Sequence, residues 1–197
     1  PLGNQAYYDA YQRLSFSIQQ VHGVMNIGDY KPFENTCNAE IRVANKMDSE
    51  MMGKMSRIIQ SYQNSAPTFE PVFPEVVMSI KDSYKSIVEE NDDTCFVAVK
   101  DGQELGFQKY YPIHSDLMTP EHAIELTIAG TYSSQMGRGV GKKLMNEGCR
   151  RMKEAGYENI ITDWRITNLA ASAFWPKCGF KPVAYRMVRY INSDIAW

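Results

Sequence analysis

Residues Gln135-Met136-Gly137-Arg138-Gly139-Val140-Gly141-Lys142-Lys143-Leu144 constrain the possible fold more than any other stretch of the chain. They follow an alternating segment, Ala123-Ile124-Glu125-Leu126-Thr127-Ile128-Ala129. They lead into Val140, Leu144, Met145, Gly148, Met152 and Ala155, whose spacing puts small and apolar groups on one helical face. A strand, a glycine-rich turn and a helix are expected in that order. Three glycines in five residues remove the Cβ atoms from the turn, so successive N–H groups can converge on an anion at the positive end of the following helix. Phosphate is the first ligand this implies, and an ordinary strand-to-helix connection is the plain alternative.

Spacing excludes two phosphate motifs. A Walker loop needs glycine at Met136 and Ser or Thr at Lys143, and a dinucleotide fingerprint beginning at Gly137 needs glycine at Lys142. With 197 residues the chain can build one substantial core. A net charge of −2 gives no general affinity for nucleic acid or membrane surfaces. Cys37, Cys95, Cys149 and Cys178 stand far apart, with no Cys-x-x-Cys pair and no histidine cluster nearby. They read as reduced thiols of a cytoplasmic protein, and no metal site is expected. No signal peptide or membrane-length apolar run is present in the sequence. Pro1-Leu2-Gly3 reads as the remnant of a cleaved tag, so the natural chain is expected to begin further upstream.

Along the chain, Tyr7, Tyr11, Leu14, Ile18 and Val21 recur at steps of four and three. They predict an amphipathic helix over 4–24 that packs on the same chain, forms a dimer seam or meets an upstream domain. Asn26 to Pro32 reads as a linker. A strand at Ala39–Ala44 precedes Asp48, a fitting N-cap for a helix from Ser49 to about Asn64. Pro67, Pro71 and Pro74 break the pattern before a helix from Glu75 to about Glu90, and the loop between is a candidate wall for a substrate site. Thr94–Lys100 and Glu104–Ile113 flank Asp101-Gly102, a two-residue hairpin signal. Pro112 and Pro120 bracket a loop containing His114. After the glycine turn come a strand at Asn159–Arg165, a helix from Asn168 to Lys177 and a β segment at Pro182–Ile191. Gly130, closing the central strand, marks a bulge or a close approach of the backbone to another group.

The glycine turn resembles the pyrophosphate loop Gln/Arg-x-x-Gly-x-Gly/Ala of the GNAT superfamily of acyl-CoA-dependent N-acyltransferases. Gly139 and Gly141 supply the small residues and Arg138 a basic one, while Met136 replaces the Gln or Arg. A second segment, Asn168 to Phe180, looks like the family's Asn-x-x-Ala-x-x-Phe/Leu-Tyr-x-Lys-x-Gly-Phe, with Trp175 in place of the tyrosine that protonates the departing thiolate in many members. The resemblance covers about residues 39–191. It implies an α/β fold in which a mixed central sheet is flanked by helices. Residues 1–35 would then be tag remnant, helical extension and linker, and 36–197 the acyltransferase domain.

The resemblance further implies acetyl-CoA as acyl donor, without metal. Ala129, Gly130 and Thr131 would face pantetheine with their backbone. Met136, Gly137, Arg138, Gly139, Val140, Gly141 and Lys142 would hold the pyrophosphate, with Asn168, Trp175 and Lys177 also near the cofactor. Glu125 matches the position of a glutamate base. A lysine-like amine with a pKa of about 10.4 is neutral only roughly once in several thousand molecules at pH 7, so a base is useful. A structural ion pair is the plain reading of Glu125, and His114 or His122 could serve instead. Indole is no acid at neutral pH, which leaves proton supply to Tyr132, Tyr185 or none, since a thiolate leaves readily. The two N-terminal helices, their connection and the last β segment would bind the acceptor with Tyr62, Phe69, Glu70, Phe73, Glu75 and Tyr185. The acceptor is an amine on a small molecule or a peptide. A GNAT-fold module that binds CoA or a protein partner without turnover is the alternative.

Overall fold

The computed structural model describes residues 3–34, 36–89, 94–114, 119–192 and 194. Pro1 and Leu2 of the expected tag remnant, Glu90 at the end of an expected helix, and 195–197 lie outside them. A short helix α1 (Gln5–Arg13) leads into strand β1 (Ser17–Asn26), β2 (Glu40–Val43), helices α2 (Ser49–Gln63) and α3 (Pro74–Ser86), and the hairpin β3 (Cys95–Lys100) and β4 (Gln103–Pro112). Then follow β5 (Ala123–Thr131), α4 (Val140–Glu154), β6 (Asn159–Arg165), α5 (Leu169–Lys177) and β7 (Lys181–Val188). The seven strands form one mixed sheet in the order β2-β3-β4-β5-β6-β1-β7, in which only β5 and β6 pair in parallel.

Each face of the sheet carries its own core. On one, α4 presents Val140, Leu144, Met145, Cys149 and Met152 to Ile124, Leu126, Ile160 and Trp164. Gly148 belongs to the same stripe because a Cβ there would sit 2.1 Å from the Tyr110 hydroxyl. On the other face, Met52, Met55 and Ile58 of α2 and Tyr84 of α3 cover Val97 and Phe107. The three-residue spacing along α2 is what turns these groups to one side. Asp101 and Gly102 both take positive φ, 52° and 75°, as the expected two-residue hairpin demands.

The N-terminal reading needs correction. The helix expected over 4–24 stops at Arg13, where Ser15 takes φ 64°, and Ser17–Asn26 is a strand inside the sheet. Val21, Gly23 and Met25 are buried at a period of two. At Gly23 a Cβ would lie 2.7 Å from the Trp164 ring, so glycine is what lets the indole cross β1. α1 itself buries none of its residues. Nor is the segment after Asn26 a loose linker. Ile27 is buried, the Tyr30 hydroxyl donates to Asn146 Oδ1 at 2.7 Å, and Asn146 bonds both the N–H and the carbonyl of Phe33 at 2.9 Å. Residues 30–34, and 36–37 beyond them, are thereby strapped along α4.

Candidate functional site

The site begins where two strands part. β5 and β6 pair only over Ala123–Glu125 and Asn159–Ile161. Beyond that point β5 stays with β4 as far as Thr131, and β6 stays with β1 as far as Arg165. The Thr162 hydroxyl donates to the Leu126 carbonyl at 2.8 Å and pins the apex of the opening. Above the apex the facing edges have no strand partner, so their alternate N–H and C=O groups turn into a cavity of about 620 Å³. Of the residues read from the sequence, it is lined by Ala129, Gly130, Thr131, Met136, Gly137, Gly139, Val140, Gly141, Lys142, Asn168, Trp175 and Lys177. Arg138 and Glu125 are not among its lining residues.

The glycine turn closes one end. Gly137 and Gly139 adopt φ of 73° and 86°, a region that L side chains disfavour. The amides of Met136 and Arg138 are spent within the turn, on the carbonyls of Ser133 at 3.2 Å and Gln135 at 3.3 Å. Those of Gly137, Gly139, Val140, Gly141 and Lys142 find no acceptor among the described residues. The last three are the first turn of α4, where no carbonyl precedes them in the helix. Five N–H groups at the positive end of a fifteen-residue helix form a cradle for an anion. The two family glycines are there for different contacts. A Cβ at Gly139 would meet the backbone of Thr36 and Cys37 in the strap, at 3.0–3.2 Å, and one at Gly141 would meet the Phe174 ring at 3.3 Å. The Lys143 ammonium reaches the Cys37 carbonyl at 3.2 Å, and that of Lys142 lies 5.3 Å over the Phe33 ring, so the strap is fixed against the cradle.

α2 and α5 supply the walls. The Tyr62 hydroxyl meets Met136 Sδ and joins α2 to the glycine turn. A Cβ at Gly130 would lie 2.8 Å from Ile58 Cγ2, so glycine there does mark a close approach. The bulge sits earlier, where Lys109 pairs Ile128 and Tyr110 pairs Leu126. The extra residue, Thr127, flips the alternation. Ala129 therefore joins the α4-side core with Leu126, and Ile128 the α2-side core, against the plain alternation read from the sequence. Asn168 caps α5 by accepting from Ala171 N at 3.1 Å while lining the cavity. Trp175 is buried against Phe174 and Phe180, at ring separations of 5.0 and 5.5 Å, so its indole is core and cavity wall together. Lys177 is exposed at the rim.

Acidic groups gather near the apex. Glu125 is half-buried, and its carboxyl is pushed up from the usual range by burial and then by the charge of Asp163. Asp163 lines the cavity; burial raises it too, while His22, Arg186 and Arg165 pull it back. Neither Asp163 nor its partner Gln20 is visible as special in the sequence, because Asn159–Arg165 reads simply as a strand. The signal is tertiary: β1 brings His22 opposite Asp163 and Gln20 opposite Arg165. His114 and His122 are exposed, and neither lines the cavity, nor does Tyr132 or Tyr185. Tyr62 is the one phenol among its described lining residues.

Of the proline-punctuated loop, Thr68 lines the cavity, whereas Phe69, Glu70 and Phe73 do not. Glu70 pairs with Arg165 at 2.7 Å and accepts from Gln19 at 3.2 Å, and the hydroxyls of Thr68 and Thr167 meet at 3.1 Å. Among the described residues no group of three or more His, Cys, Asp or Glu is placed to hold a metal, and no helix is long and apolar enough to cross a membrane. The four cysteines form no disulfide with one another, and burial pushes the thiols of Cys149 and Cys178 up to about 12.

The fold that builds this site is shared with known proteins. The sequence model of the acetyltransferase (GNAT) family matches residues 58–180, from α2 through the cradle to the end of α5. The chain belongs to the GNAT acetyltransferase family. Solved GNAT relatives share its fold at low identity. The PaiA N-acetyltransferase of Thermoplasma acidophilum, solved with coenzyme A, superposes with a TM-score of 0.57 at 18% identity, over 72% of this chain and 88% of that one. The ribosomal-protein-alanine N-acetyltransferase of Brucella melitensis gives 0.54 at 22% identity, over 72% and 84%. A conserved protein of unknown function from Staphylococcus epidermidis gives 0.57 at 14%, covering 93% of this chain and 64% of that one, so the GNAT chain spans under two thirds of that relative. No curated protein sequence matches it.

Proposed function

We propose that this GNAT chain is an N-acetyltransferase that carries the acetyl group of acetyl-CoA to a primary amine by direct attack in a ternary complex. The observation that supports this most is the cavity, which joins five unpaired amides at a helix N-terminus to the open edges of β5 and β6. It suits a long ligand with a pyrophosphate at one end and hydrogen-bonding amides along its arm. In this reading Gly137, Gly139, Val140, Gly141 and Lys142 hold the pyrophosphate, with Lys177 at the rim and the Arg138 charge outside. The backbone of Ala129 to Thr131 pairs with the arm, and a β5 N–H stabilises the developing oxyanion, placed rigidly before substrate arrives. Asn168 and Trp175 face the arm from α5. Thiolate departs without a dedicated acid, because Trp175 cannot donate usefully and a thiol of pKa about 8.5 is a good leaving group.

The amine enters from the mouth beside the 64–73 loop, and an acidic group at the apex, Glu125 in the plain reading of the family position, takes its proton. A peptide amine, which the name of the Brucella relative gives as that protein's acceptor class, and a small-molecule amine both suit an opening of this kind. Four cysteines without a disulfide suit a reducing, cytoplasmic setting. The test is thiol release from acetyl-CoA with butylamine, 1,4-diaminobutane, sisomicin and an alanine-terminated peptide. Acceleration by any of them, with the acetylated amine recovered, supports transfer. Tight CoA binding with no acceleration by any amine favours the module without turnover.

A further inference from the structure

The hydrogen-bond register between β5 and β6 separates the two acidic residues of the apex. Glu125 is the last β5 residue paired with β6, opposite Ile161, so its backbone is still inside the closed part of the sheet. Asp163 stands two residues beyond Ile161, where β6 has left β5, and its side chain lines the cavity whereas that of Glu125 does not. Gln20, from β1, donates its Nε2–H to Asp163 Oδ2, which holds the carboxylate in place. Gln20 Oε1 is buried and has no partner among the described residues, and Gln20 also lines the cavity. An unpartnered acceptor, Gln20 Oε1, thus stands beside the Asp163 carboxyl, where an ammonium approaching the apex would need it.

Resting on the acyl-transfer reading above, we propose that Asp163, rather than Glu125, is the residue that binds the acceptor's ammonium and removes its proton. The charged groups around it are Glu125 from β5, His22 from β1, Arg186 from β7, and Arg165 from β6, which is itself paired with Glu70 of the loop. Burial favours the protonated form of Asp163, which moves its basicity toward neutral pH, where a carboxylate of ordinary pKa near 4 is a poor base. R–NH3⁺ gives one proton to Asp163, and the nitrogen lone pair forms the C–N bond at the thioester carbonyl while the C=O pair moves onto oxygen. As that pair returns, the C–S bond breaks and the sulfur leaves with its electrons. The second nitrogen proton goes to the thiolate or to water, and Asp163 releases its own proton to solvent.

The experiment compares the full chain with Asp163→Asn and Glu125→Gln, using the alkylamine on which the wild type is most active, and methoxyamine, whose weakly basic nitrogen is already neutral at pH 7. Folding of each variant is read by its titration with desulfo-CoA. Asp163→Asn is expected to lower kcat/KM for the alkylamine about 100-fold at pH 7, with the deficit shrinking as pH rises toward the pKa of the amine and more of it is neutral in solution. With methoxyamine it is expected to retain most of its rate, because no ammonium proton has to be removed. Glu125→Gln is expected to lower the alkylamine rate less and to keep the wild-type rise of kcat/KM with pH. The assignment is overturned if Glu125→Gln takes the larger loss, or if a folded Asp163→Asn loses both amines equally, which marks a structural role. A wild type that neither binds desulfo-CoA nor transfers to any amine overturns the acyl-transfer reading itself, and this assignment with it.

Discussion

The cradle makes a quantitative claim about two glycines. At φ of 73° and 86°, replacing Gly137 or Gly139 by alanine puts a Cβ into a conformation that costs an L residue about 1–2 kcal/mol. Around Gly137 a Cβ meets nothing within 4 Å, so strain is the whole cost. At Gly139 it meets the Cys37 nitrogen at 3.0 Å and the Thr36 backbone at 3.2 Å, main-chain atoms next to the Cys37 carbonyl that Lys143 holds, which cannot swing aside as a side-chain tip can. Strain that persists in the free protein lowers Tm, by about 2–8 °C for 1–2 kcal/mol in a chain of this size. Strain relieved by relaxing the turn must be restored on binding, which weakens CoA by about 5- to 30-fold. The two effects share one energy, so thermal melting and desulfo-CoA titration are read together. Gly137→Ala should lose about 1–2 kcal/mol in total, and Gly139→Ala more. If Gly139→Ala matched the wild type in both measurements, or lost less than Gly137→Ala, the strap and the φ constraint would not shape the cradle as argued.

Other substitutions test other parts of the account. Trp175→Tyr should cost roughly 1–2 kcal/mol in thermal or urea melting, below the ~3–5 of full truncation, because the indole packs on two rings. A rise in kcat from the same variant would show that thiolate departure limits turnover and that a phenol at 175 relieves it. Glu70→Ala should raise the acceptor KM about 3- to 10-fold, the equivalent of roughly 1 kcal/mol, while leaving the Kd for desulfo-CoA alone, since only the mouth loses its tie to Arg165. Asp48 accepts two bonds from Arg42, at 2.7 and 2.8 Å, and one from Asn45 N, and the Arg42 bonds hold its carboxyl below the usual range. A lowered folded pKa gives stability that is complete above the unfolded value of about 3.9 and is lost as pH falls through the folded one. Asp48→Asn should therefore cost about 1–3 kcal/mol at pH 7, and its melting curve should converge on that of the wild type under strong acid.

What was legible in the sequence was whatever a local pattern controls. Asp101-Gly102 can hardly be other than a tight hairpin, and the apolar stripe from Val140 to Met152 has one solution as a helix packed on a sheet. Three closely spaced glycines then left the α4 amides open, whatever their ligand. The failures are tertiary. Tyr7, Tyr11, Leu14, Ile18 and Val21 keep helical spacing across a break at Ser15, and nothing local says that Val21 belongs to a strand between β6 and β7. The bulge at Thr127 depends on how Lys109 and Tyr110 pair across the sheet, so the face taken by Ala129 could not be read from β5 alone. The same holds for the site. Glu125 drew notice by its place on the central strand, whereas Asp163 is set apart only by where two strands stop pairing and by a glutamine from a third.

Calorimetric titration of the purified chain with acetyl-CoA, with desulfo-CoA and ATP as comparators, tests the central claim most directly. One site per chain with micromolar affinity for both CoA compounds is expected, lost when the cradle is strained, with no comparable heat from ATP, which lacks the pantetheine arm that the parted strands would hold. Equal binding of ATP would mean that the cavity recognises phosphate alone. No binding of either CoA compound would contradict the account.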